Sequence, residues 1–351
     1  MTIQAAEFLP GARRLAPDQL VEGIVSGDRC ILSRFITLLE SRLVEDRRVA
    51  QQILTTLLAH TGRSIRVGIT GVPGAGKSTL IESLGLMLTG QGHHVAVLAI
   101  DPTSRISGGS ILGDKTRMVD LCRNPNAFIR PSPSGETLGG VARNTRETML
   151  TCEAAGFDVI LIETVGVGQS ETVVADMVDF FLVVLIAGAG DELQGIKRGL
   201  MEMADLVAIN KADGDNKIYA ERACVLYQNA MRLLHPAESL WNPPVLACSA
   251  VNNTGIDTIW SQILKHRARF EPTGWFEQHR RDQMVRWMWD LVNEYIDRLL
   301  HGKAEVRAVS ARTEAAVRFG SMTAADGAES VLRAIGLSAD SEVKTGQTQQ
   351  V

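Results

Sequence analysis

The chain has 351 residues, of which 45% are apolar and 22% are charged, as expected for a globular protein with a well-buried core. This length predicts one sizeable catalytic domain with smaller appendages. The net charge of −4 lacks the excess of positive charge that is typical of nucleic-acid-binding proteins. Binding partners must therefore be inferred from particular sites in the sequence.

The cysteine pattern and the apolar runs indicate a cytoplasmic protein. The five cysteines are scattered and form neither a CxxC pair nor a Cys/His cluster, which indicates reduced thiols in a reducing compartment. The longest apolar run, residues 180–187, is far too short to span a membrane. The first 20 residues lack the apolar stretch of a secretory signal. We therefore expect neither a membrane segment nor secretion.

Helical and β-rich patterns divide the first three quarters of the chain. Apolar side chains at helical spacing, from Leu20 to Leu58, predict an N-terminal helical extension over residues 1–60. Over residues 61–271, short β-rich runs alternate with helical patterns. The runs are residues 65–70, 94–100, 158–163, 180–186, 206–210 and 245–249. This alternation predicts an α/β fold with a mostly parallel sheet, covered by helices on both faces and binding ligands at the carboxyl ends of its strands.

A P-loop follows the first predicted strand. Its sequence, GVPGAGKS, lies between that strand and a helical pattern that starts at Thr79, as phosphate binding requires. The glycines let backbone N–H groups turn towards phosphates, and the Lys77 ammonium adds a full positive charge. The Ser78 hydroxyl is expected to bind Mg²⁺. The predicted phosphate-binding residues are Gly71, Val72, Pro73, Gly74, Ala75, Gly76, Lys77, Ser78 and Thr79.

The tetrapeptide Asn-Lys-Ala-Asp, ending at Asp213, predicts guanine as the base. A carboxylate at Asp213 can accept both the N1–H and the exocyclic amine of guanine, and adenine lacks this pair of donors. Asn210 and the Lys211 stem are expected to brace the loop and cover the ring. After a further strand, the Ser249–Ala250 pair offers a backbone N–H to the guanine carbonyl. The sequence therefore predicts GTP and GDP as the bound nucleotides.

Two strand-end carboxylates, Asp101 and Glu163, are predicted at the phosphate edge of the sheet. Oxygen ligands suit Mg²⁺, and the alternative for each is a carboxylate that caps the next turn. The loop that starts at Glu163 resembles the DxxG loop of GTPases, with Gly166 as the expected γ-phosphate sensor. Gln169 either orients the attacking water or is a solvated loop amide.

After Pro272 the chain becomes helical again, which predicts a C-terminal helical arm over residues 272–337. The arm carries an apolar stripe that is either core packing or an exposed dimer seam. The stripe is Trp287, Met288, Leu291, Tyr295 and Leu299. Residues 338–351 are polar and predict a disordered tail.

With these motifs, residues 20–336 resemble the MeaB/ArgK-type GTPase chaperones of adenosylcobalamin-dependent methylmalonyl-CoA mutase. The most specific stretches are residues 101–104, 108–118, 163–171 and 190–197. The resemblance implies a P-loop NTPase fold of the signal-recognition/MinD class, slow GTP hydrolysis and a homodimer formed by the C-terminal helices. It also implies a mutase partner whose cobalamin loading and repair the GTPase gates, with a cobalamin adenosyltransferase as a further candidate partner.

The resemblance also places individual residues. Lys77, Ser78, Asp101, Asp114 and Glu163 fall on phosphate and Mg²⁺ positions of the family. The guanine-site positions of the family fall on Asn210, Lys211 and Asp213.

The segment 191–197 is predicted to be a switch loop. Gly188 and Gly190 make its start flexible, while its end runs into a helical pattern. Lys197 is the candidate catalytic cation, reaching the phosphates when a partner docks. The alternative is that Asp191 and Glu192 favour the N-terminus of the next helix and that Lys197 is solvated.

Two other functional classes remain open from the residues alone. One is a metal-insertion GTPase of the same fold class, which needs thiolate or imidazole clusters that are not visible in the sequence. The other is a kinase or ATPase of an amino-acid transport system, against which Asp213 argues.

Overall fold

The structure is a computed structural model that describes residues 15–41, 43–101, 118–133, 138–164, 170–188, 198–235 and 239–337. The chain divides into two compact units, Met1–Gln283 and Met284–Val351. The larger unit contains a β-sheet with helices, and the described part of the smaller unit is helical.

Seven strands in the described ranges form one sheet in the order β3-β2-β4-β1-β5-β6-β7, and every neighbouring pair is parallel. The strands are β1 (Ile65–Gly71), β2 (Val95–Asp101), β3 (Ala127–Pro133), β4 (Val159–Thr164), β5 (Phe180–Ile186), β6 (Leu206–Asn210) and β7 (Val245–Ala247). Because β1 is central, the loop that follows it projects from the middle of the carboxyl edge. The predicted fold class is confirmed.

Helices precede, cover and follow this sheet. They are α1 (Pro17–Val25), α2 (Arg29–Leu39), α3 (Val44–Leu57), α4 (Lys77–Gly90), α5 (Val119–Arg123), α6 (Leu138–Ala154), α7 (Ser170–Ala175), α8 (Arg198–Glu202), α9 (Lys217–Leu234), α10 (Ile256–Phe270), α11 (Trp275–Gly302), α12 (Ala304–Arg318) and α13 (Ala324–Ala334). None of the helices in the described ranges is long and apolar enough to cross a membrane.

The edge strand β3 is the strand that the sequence patterns did not predict. Its sequence, AFIRPSP, contains Pro131 and Pro133, which cannot donate ladder hydrogen bonds. Within the described ranges the strand pairs with β2 alone and occupies an edge of the sheet, where prolines are tolerated. The edge position therefore explains why a proline-containing segment forms a strand here.

One face of the sheet is covered by α4 and α10. Alternate strand residues such as Val67, Leu161 and Leu182 are fully buried in one cluster with Leu84 of α4 and Ile263 of α10. Burial of each such side chain contributes about 1.5–3 kcal/mol before entropy is counted. This packing fixes the start of α4, and with it the P-loop, against the central strands.

The opposite face is covered by α6 and α7. Helix α6 contacts β2, β3 and β4, and α7 contacts β1 and β4. The approach of α7 is close, because a Cβ added at Gly68 of β1 would lie 2.8 Å from Val174 Cγ1. Helices α2 and α3 pack on α6, so the N-terminal helices form a further layer outside the sheet.

An arginine in the first turns of α11 joins those turns to other parts of the larger unit, to which they belong. Arg280 Nε donates to Asp179 Oδ1 at 2.8 Å, and its other nitrogens donate to the carbonyl oxygens of Gly62 and Ser64. Burial alone raises the pKa of Asp179, but the Arg280 guanidinium outweighs this and holds that pKa below its usual range. The first turns of α11 are thereby tied to the amino ends of β1 and β5.

In the smaller unit, α12 and α13 pack against each other. Their contact is close, since a Cβ added at Gly327 of α13 would lie 2.9 Å from Val317 Cγ2 of α12. Thr313 of α12 is buried as well. These two helices therefore pack closely within the described smaller unit.

His266 of α10 is buried in an aromatic cluster on the larger unit. Its ring is 3% exposed and lies 5.2 Å from Phe180, 5.1 Å from Trp241 and 4.5 Å from Phe270 between ring centroids. Burial lowers the pKa of His266 to about 4, and the nearby Asp179 carboxylate only partly opposes that shift. The imidazole is therefore neutral in the folded protein at neutral pH.

Replacing His266 with phenylalanine is expected to make stability less sensitive to acid. Because the folded-state pKa lies below that of an exposed histidine, the unfolded chain binds the proton more readily. Stability is therefore lost as the pH falls from about 6.5 towards about 4. Relative to His266→Phe, the native protein should lose about 2 kcal/mol of unfolding free energy between about pH 7.5 and about pH 5. Urea denaturation at the two pH values measures this. The exposed control His60→Phe should lose as much unfolding free energy between the two pH values as the native protein does. An equal loss in His266→Phe would contradict the prediction.

Candidate nucleotide-binding site

The loop between β1 and α4 has the backbone of a P-loop. Gly71 has a φ of 148°, and a Cβ there would lie 1.9 Å from the carbonyl oxygen of Val184 in β5. Gly76 has a φ of 83°, and a Cβ there would lie 2.7 Å from Asn210 Nδ2. Both positions therefore require glycine, for the backbone angle and for the close approach. The loop is held between β5 and β6 at the carboxyl edge.

Lys77 begins α4 and its side chain folds over the loop. The side chain is buried, and Nζ donates to the carbonyl oxygens of Gly71 at 2.9 Å and Val72 at 3.2 Å. The first backbone N–H groups of a helix have no acceptor inside the helix, and their partial positive charge favours anions. The ammonium and the start of α4, including Ser78 and Thr79, thus face the same loop. This arrangement suits a chain of phosphates.

Ser78 and Glu163 meet beneath the loop. Ser78 Oγ donates to Glu163 Oε1 at 2.8 Å, and both residues are buried. Glu163 lies in β4 beside Ile69 of β1 and Ala99 of β2. A hydroxyl and a carboxylate oxygen are ligands that Mg²⁺ prefers, so this pair fits the predicted ion.

The neighbouring strand ends complete this edge of the sheet. Thr164 Oγ1 donates to Thr70 Oγ1 at 2.7 Å, and both threonines are fully buried. Asp101 ends β2, one residue beyond Ile100, which pairs with Thr164. The backbone therefore places Asp101 at the same carboxyl edge as Glu163. The sequence did not single out the threonine pair, because buried strand threonines carry no distinctive spacing.

Several predicted site residues lie outside the part of the chain that the structure describes. They are the Asp101 side chain, Asp114, Gly166, Gln169, Asp191, Glu192 and Lys197. Their predicted roles stay predictions.

Asn210 joins the P-loop to the segment after β7. This side chain, at the end of β6, is 1% exposed. Its Nδ2 donates to the carbonyl oxygen of Ala75 at 2.8 Å, and its Oδ1 accepts the Ala250 N–H at 3.1 Å. One amide thus connects three separate stretches of chain. The Ala250 N–H already has this acceptor, so its predicted contact with guanine would be shared with Asn210.

The predicted base segment forms a tight turn after β6. Lys211 has a φ of 59°, an uncommon value for a non-glycine residue, and its carbonyl oxygen accepts a hydrogen bond from Asn216 Nδ2 at 2.7 Å. Lys211 Cε lies 4.0 Å from the Cβ position built at Gly76, so its stem runs beside the P-loop. The Asp213 carboxylate accepts a hydrogen bond from Ser249 Oγ. The structure brings these predicted base-site residues together.

Cys248 is a member of this cluster that sequence reasoning missed. Its Sγ lies 3.7 Å from Asn210 Oδ1, and its carbonyl oxygen accepts the Ala212 N–H at 2.9 Å. Burial raises the pKa of the thiol to about 12, so it stays protonated and can donate weakly. The sequence could not predict this contact, because a single cysteine at the end of an apolar run does not indicate which residue it will meet.

Comparisons with known proteins match the chain to GTPases. Residues 32–305 match the family model described as "Methylmalonyl Co-A mutase-associated GTPase MeaB". A putative GTPase of Caulobacter vibrioides is 55% identical over 320 residues, which is 91% of this chain and 98% of the relative. The methylmalonic aciduria type A homolog of Mus musculus, a mitochondrial protein, is 45% identical over 327 residues, covering 90% of this chain and 79% of the relative.

A solved structure shares the fold across nearly the whole chain. The crystal structure of a LAO/AO transport system kinase superposes with a TM-score of 0.75 at 38% sequence identity. The match covers 91% of this chain and 97% of the solved chain. The arrangement of strands and helices around the P-loop is thus shared with an experimental structure.

Proposed function

The chain belongs to the MeaB family of methylmalonyl-CoA mutase-associated GTPases and is itself a GTPase, and from this premise we propose that it is a GTP-dependent chaperone of methylmalonyl-CoA mutase. In this proposal the GTPase gates the loading of cobalamin into the mutase and protects the loaded enzyme. The main structural support for GTP binding is the Asn210 side-chain amide, which joins the P-loop to the base segment by hydrogen bonds. The family relationship supports the mutase half.

We propose the following roles in hydrolysis. Water attacks the γ-phosphorus, the bond to the bridging oxygen breaks, and GDP and phosphate leave. Lys77 and the start of α4 stabilise the charge that spreads over the phosphate oxygens. Ser78 and Glu163 would hold Mg²⁺, with Asp101 and Asp114 as further candidate ligands, and the ion would neutralise phosphate charge. Gly166 is the proposed γ-phosphate sensor.

The base is selected by the segment after β6. Asp213 accepts the N1–H and the amine of guanine, while Ser249 Oγ donates to the same carboxylate and fixes it. The Lys211 stem covers the ring, and Ala250 presents its N–H to the guanine carbonyl. An ATP-dependent transport kinase is not favoured, since adenine would leave the carboxylate without its two donors.

The mutase half is tested by cofactor loading. Purified apo-methylmalonyl-CoA mutase is mixed with adenosylcobalamin and this chain, and loading is followed by absorbance with GTP, GDP or no nucleotide. We expect the amount or rate of loading to depend on which nucleotide is present. Loading that is identical under all three conditions, and identical without the chain, would contradict a chaperone role.

The compartment and a further partner follow from the same proposal. All five cysteines are free, including buried Cys152 and Cys248, which supports a reducing compartment such as the cytoplasm. A cobalamin adenosyltransferase is the second proposed partner, because it produces the cofactor that the mutase receives.

We propose that α11 supplies a dimer seam. Among the predicted stripe residues, Met288 is 49% and Tyr295 is 61% exposed, while Trp287 is buried. Trp289 and Val292 are exposed as well, so the helix presents apolar surface to solvent within the smaller unit. A contiguous exposed apolar surface of this kind is typical of an interface.

Charging this seam is expected to break the dimer. In the double variant Met288→Asp/Tyr295→Asp, carboxylates would be buried without partners, so the molar mass measured by light scattering should fall from dimer to monomer. The matched control Leu264→Asp, at an exposed position on α10, should leave the mass unchanged. If light scattering gives the native protein the molar mass of a monomer, the proposed dimer seam is wrong.

Lys197 is proposed to act only when the mutase is bound. A cation that reaches the phosphates in the docked state alone provides the differential contact that such coupling needs. Lys197→Ala should therefore keep the slow basal GTP turnover and lose most of the stimulation by the mutase. Full stimulation in the variant would leave Lys197 as an ordinary surface lysine.

A further inference from the structure

Helix α9, which follows the base segment, has apolar side chains on two opposite sides. Ala220, Ala223, Tyr227 and Met231 are buried, and the helix contacts β6 and β7. On the other side five large apolar side chains are exposed, with fractions between 42% and 88%. They are Ile218, Tyr219, Val225, Leu226 and Leu233. We call these five residues the α9 face.

The spacing places these residues on one side of the helix. Ile218 and Val225 are seven residues apart, and so are Tyr219, Leu226 and Leu233 in turn. Seven residues are nearly two helical turns, so both rows run along the same surface. A core-packing helix needs only one apolar side, and the α9 face is the second.

Among the described residues of the larger unit, the α9 face has more exposed large apolar side chains than any other single helix or strand lying wholly within it. The other exposed large apolar residues described in this unit lie singly on separate elements, such as Val25, Val119 and Leu264, or as the adjacent pair Leu43 and Val44. Scattered residues of that kind are normal, whereas a contiguous exposed patch marks an interaction site. Among the described residues, none covers this patch.

Within helix α9 itself the charges are predominantly positive. Helix α9 carries three cations, Lys217, Arg222 and Arg232, and one carboxylate, Glu221, and all four are exposed. This local excess contrasts with the net charge of −4 for the whole chain. A complementary surface would combine apolar side chains with aspartate or glutamate.

A second copy of this chain fits the α9 face poorly. In a two-fold antiparallel pairing of α9 with itself, the Lys217 end of one helix would meet the Arg232 end of the other. Like charges would then face each other, which disfavours this pairing. One helical face is also much smaller than the roughly 20–30 residues per side of a stable interface, and suits a transient partner.

The α9 face is directly connected to the base segment. Helix α9 begins after the turn Gly214–Asn216, where the Asn216 N–H donates to the Asp213 carbonyl oxygen at 3.0 Å. Asn216 Nδ2 donates to the Lys211 carbonyl oxygen at 2.7 Å. A partner seated on α9 would therefore contact the element that carries the base-site turn.

We propose that the α9 face is a docking surface for an amphipathic helix of the mutase, with an apolar stripe bordered by aspartate or glutamate. The proposal rests on the proposed function, because it takes the mutase as the partner. Helix-on-helix contacts of this kind use apolar anchors at helical spacing for affinity and flanking charges for orientation.

The test measures the affinity of the full-length chain for purified apo-methylmalonyl-CoA mutase by titration calorimetry with a GTP analogue bound. We expect Val225→Ser/Leu233→Ser to weaken binding at least tenfold. We expect Arg222→Glu/Arg232→Glu to weaken it at least fivefold at low salt, with a smaller difference at high salt. Basal GTP turnover and circular dichroism of these variants should match the native protein, since neither pair lies in the nucleotide site.

The control Leu264→Ser/Arg269→Glu makes the same kinds of change at exposed positions of α10 and should bind normally. If the native chain binds the mutase and both α9 variants bind within twofold of it, the docking surface is wrong while the proposed function stands. If the native chain itself fails to bind the mutase with any nucleotide, both the proposed function and the proposed docking role of the α9 face are contradicted.

Discussion

Replacing Lys77 with alanine is expected to slow GTP hydrolysis by about 30- to 1,000-fold, corresponding to about 2–4 kcal/mol of lost transition-state stabilisation. The Lys77 ammonium lies at the P-loop and donates hydrogen bonds to the carbonyl oxygens of Gly71 and Val72. Phosphate oxygens carry more negative charge than carbonyls and would draw the ammonium to the nucleotide. The lost charge has no substitute among the described residues of the loop.

The measurement is single-turnover phosphate release with GTP in excess of its dissociation constant. The fold should survive, because the Lys77 stem contributes little to the cluster formed by the sheet, α4 and α10, and thermal unfolding checks this. Lys265→Ala, at an exposed position on α10, is the matched control and should hydrolyse GTP at the native rate. Native turnover in Lys77→Ala would overturn the P-loop assignment.

Replacing Asp213 with asparagine is expected to weaken GTP binding by about 10- to 100-fold, as for the loss of a hydrogen-bonded carboxylate. The amide of the variant can still accept from Ser249 Oγ, so the turn should persist. The asparagine NH2 group is a donor where the carboxylate could only accept, so it cannot accept hydrogen bonds from the guanine N1–H and amine, and GTP binding is weakened. Xanthosine triphosphate carries a carbonyl in place of the amine and should gain relative to GTP.

Titration calorimetry with GTP, ATP and xanthosine triphosphate measures this change of preference. The control Asp215→Asn makes the same chemical change two residues away, at an exposed position of the turn Gly214–Asn216. It should bind all three nucleotides as the native chain does. Unchanged GTP affinity in Asp213→Asn, or tighter binding of ATP than GTP by the native chain, would contradict the base-site assignment.

The sequence predicted those parts of the fold that have strong local patterns. The strands at 180–186 and 206–210 were predicted with the boundaries that β5 and β6 have, because buried parallel strands are continuous apolar runs. Helix α4 begins at Lys77, two residues before the predicted start at Thr79, since the P-loop residues themselves enter the helix. The last strand, predicted to Ser249, ends at Ala247, and Ser249 instead pairs with Thr254 in an isolated bridge.

Other features depend on contacts between distant parts of the chain. The hydrogen bond from Asn210 to Ala75 joins residues 135 positions apart, and its partner could not be read from a local motif. Strand β3 was missed because prolines normally argue against a strand, and only its edge position permits them. The stripe on α11 was predicted as one face, yet Trp287 is buried while Met288 and Tyr295 are exposed. Apolar periodicity in the sequence predicts that a segment is helical. Which sides of the helix are buried depends on contacts with other elements, which the periodicity does not show.

The central claim is that this GTPase works on methylmalonyl-CoA mutase, and GTP turnover with and without purified mutase tests it most directly. The assay uses the native full-length chain with saturating GTP and magnesium, and bovine serum albumin replaces the mutase as the control for nonspecific protein. We expect slow turnover alone, at least severalfold faster turnover that saturates as mutase is added, and no response in Lys77→Ala. Turnover that stays at its basal value at every mutase concentration, with no complex formed, would contradict the claim.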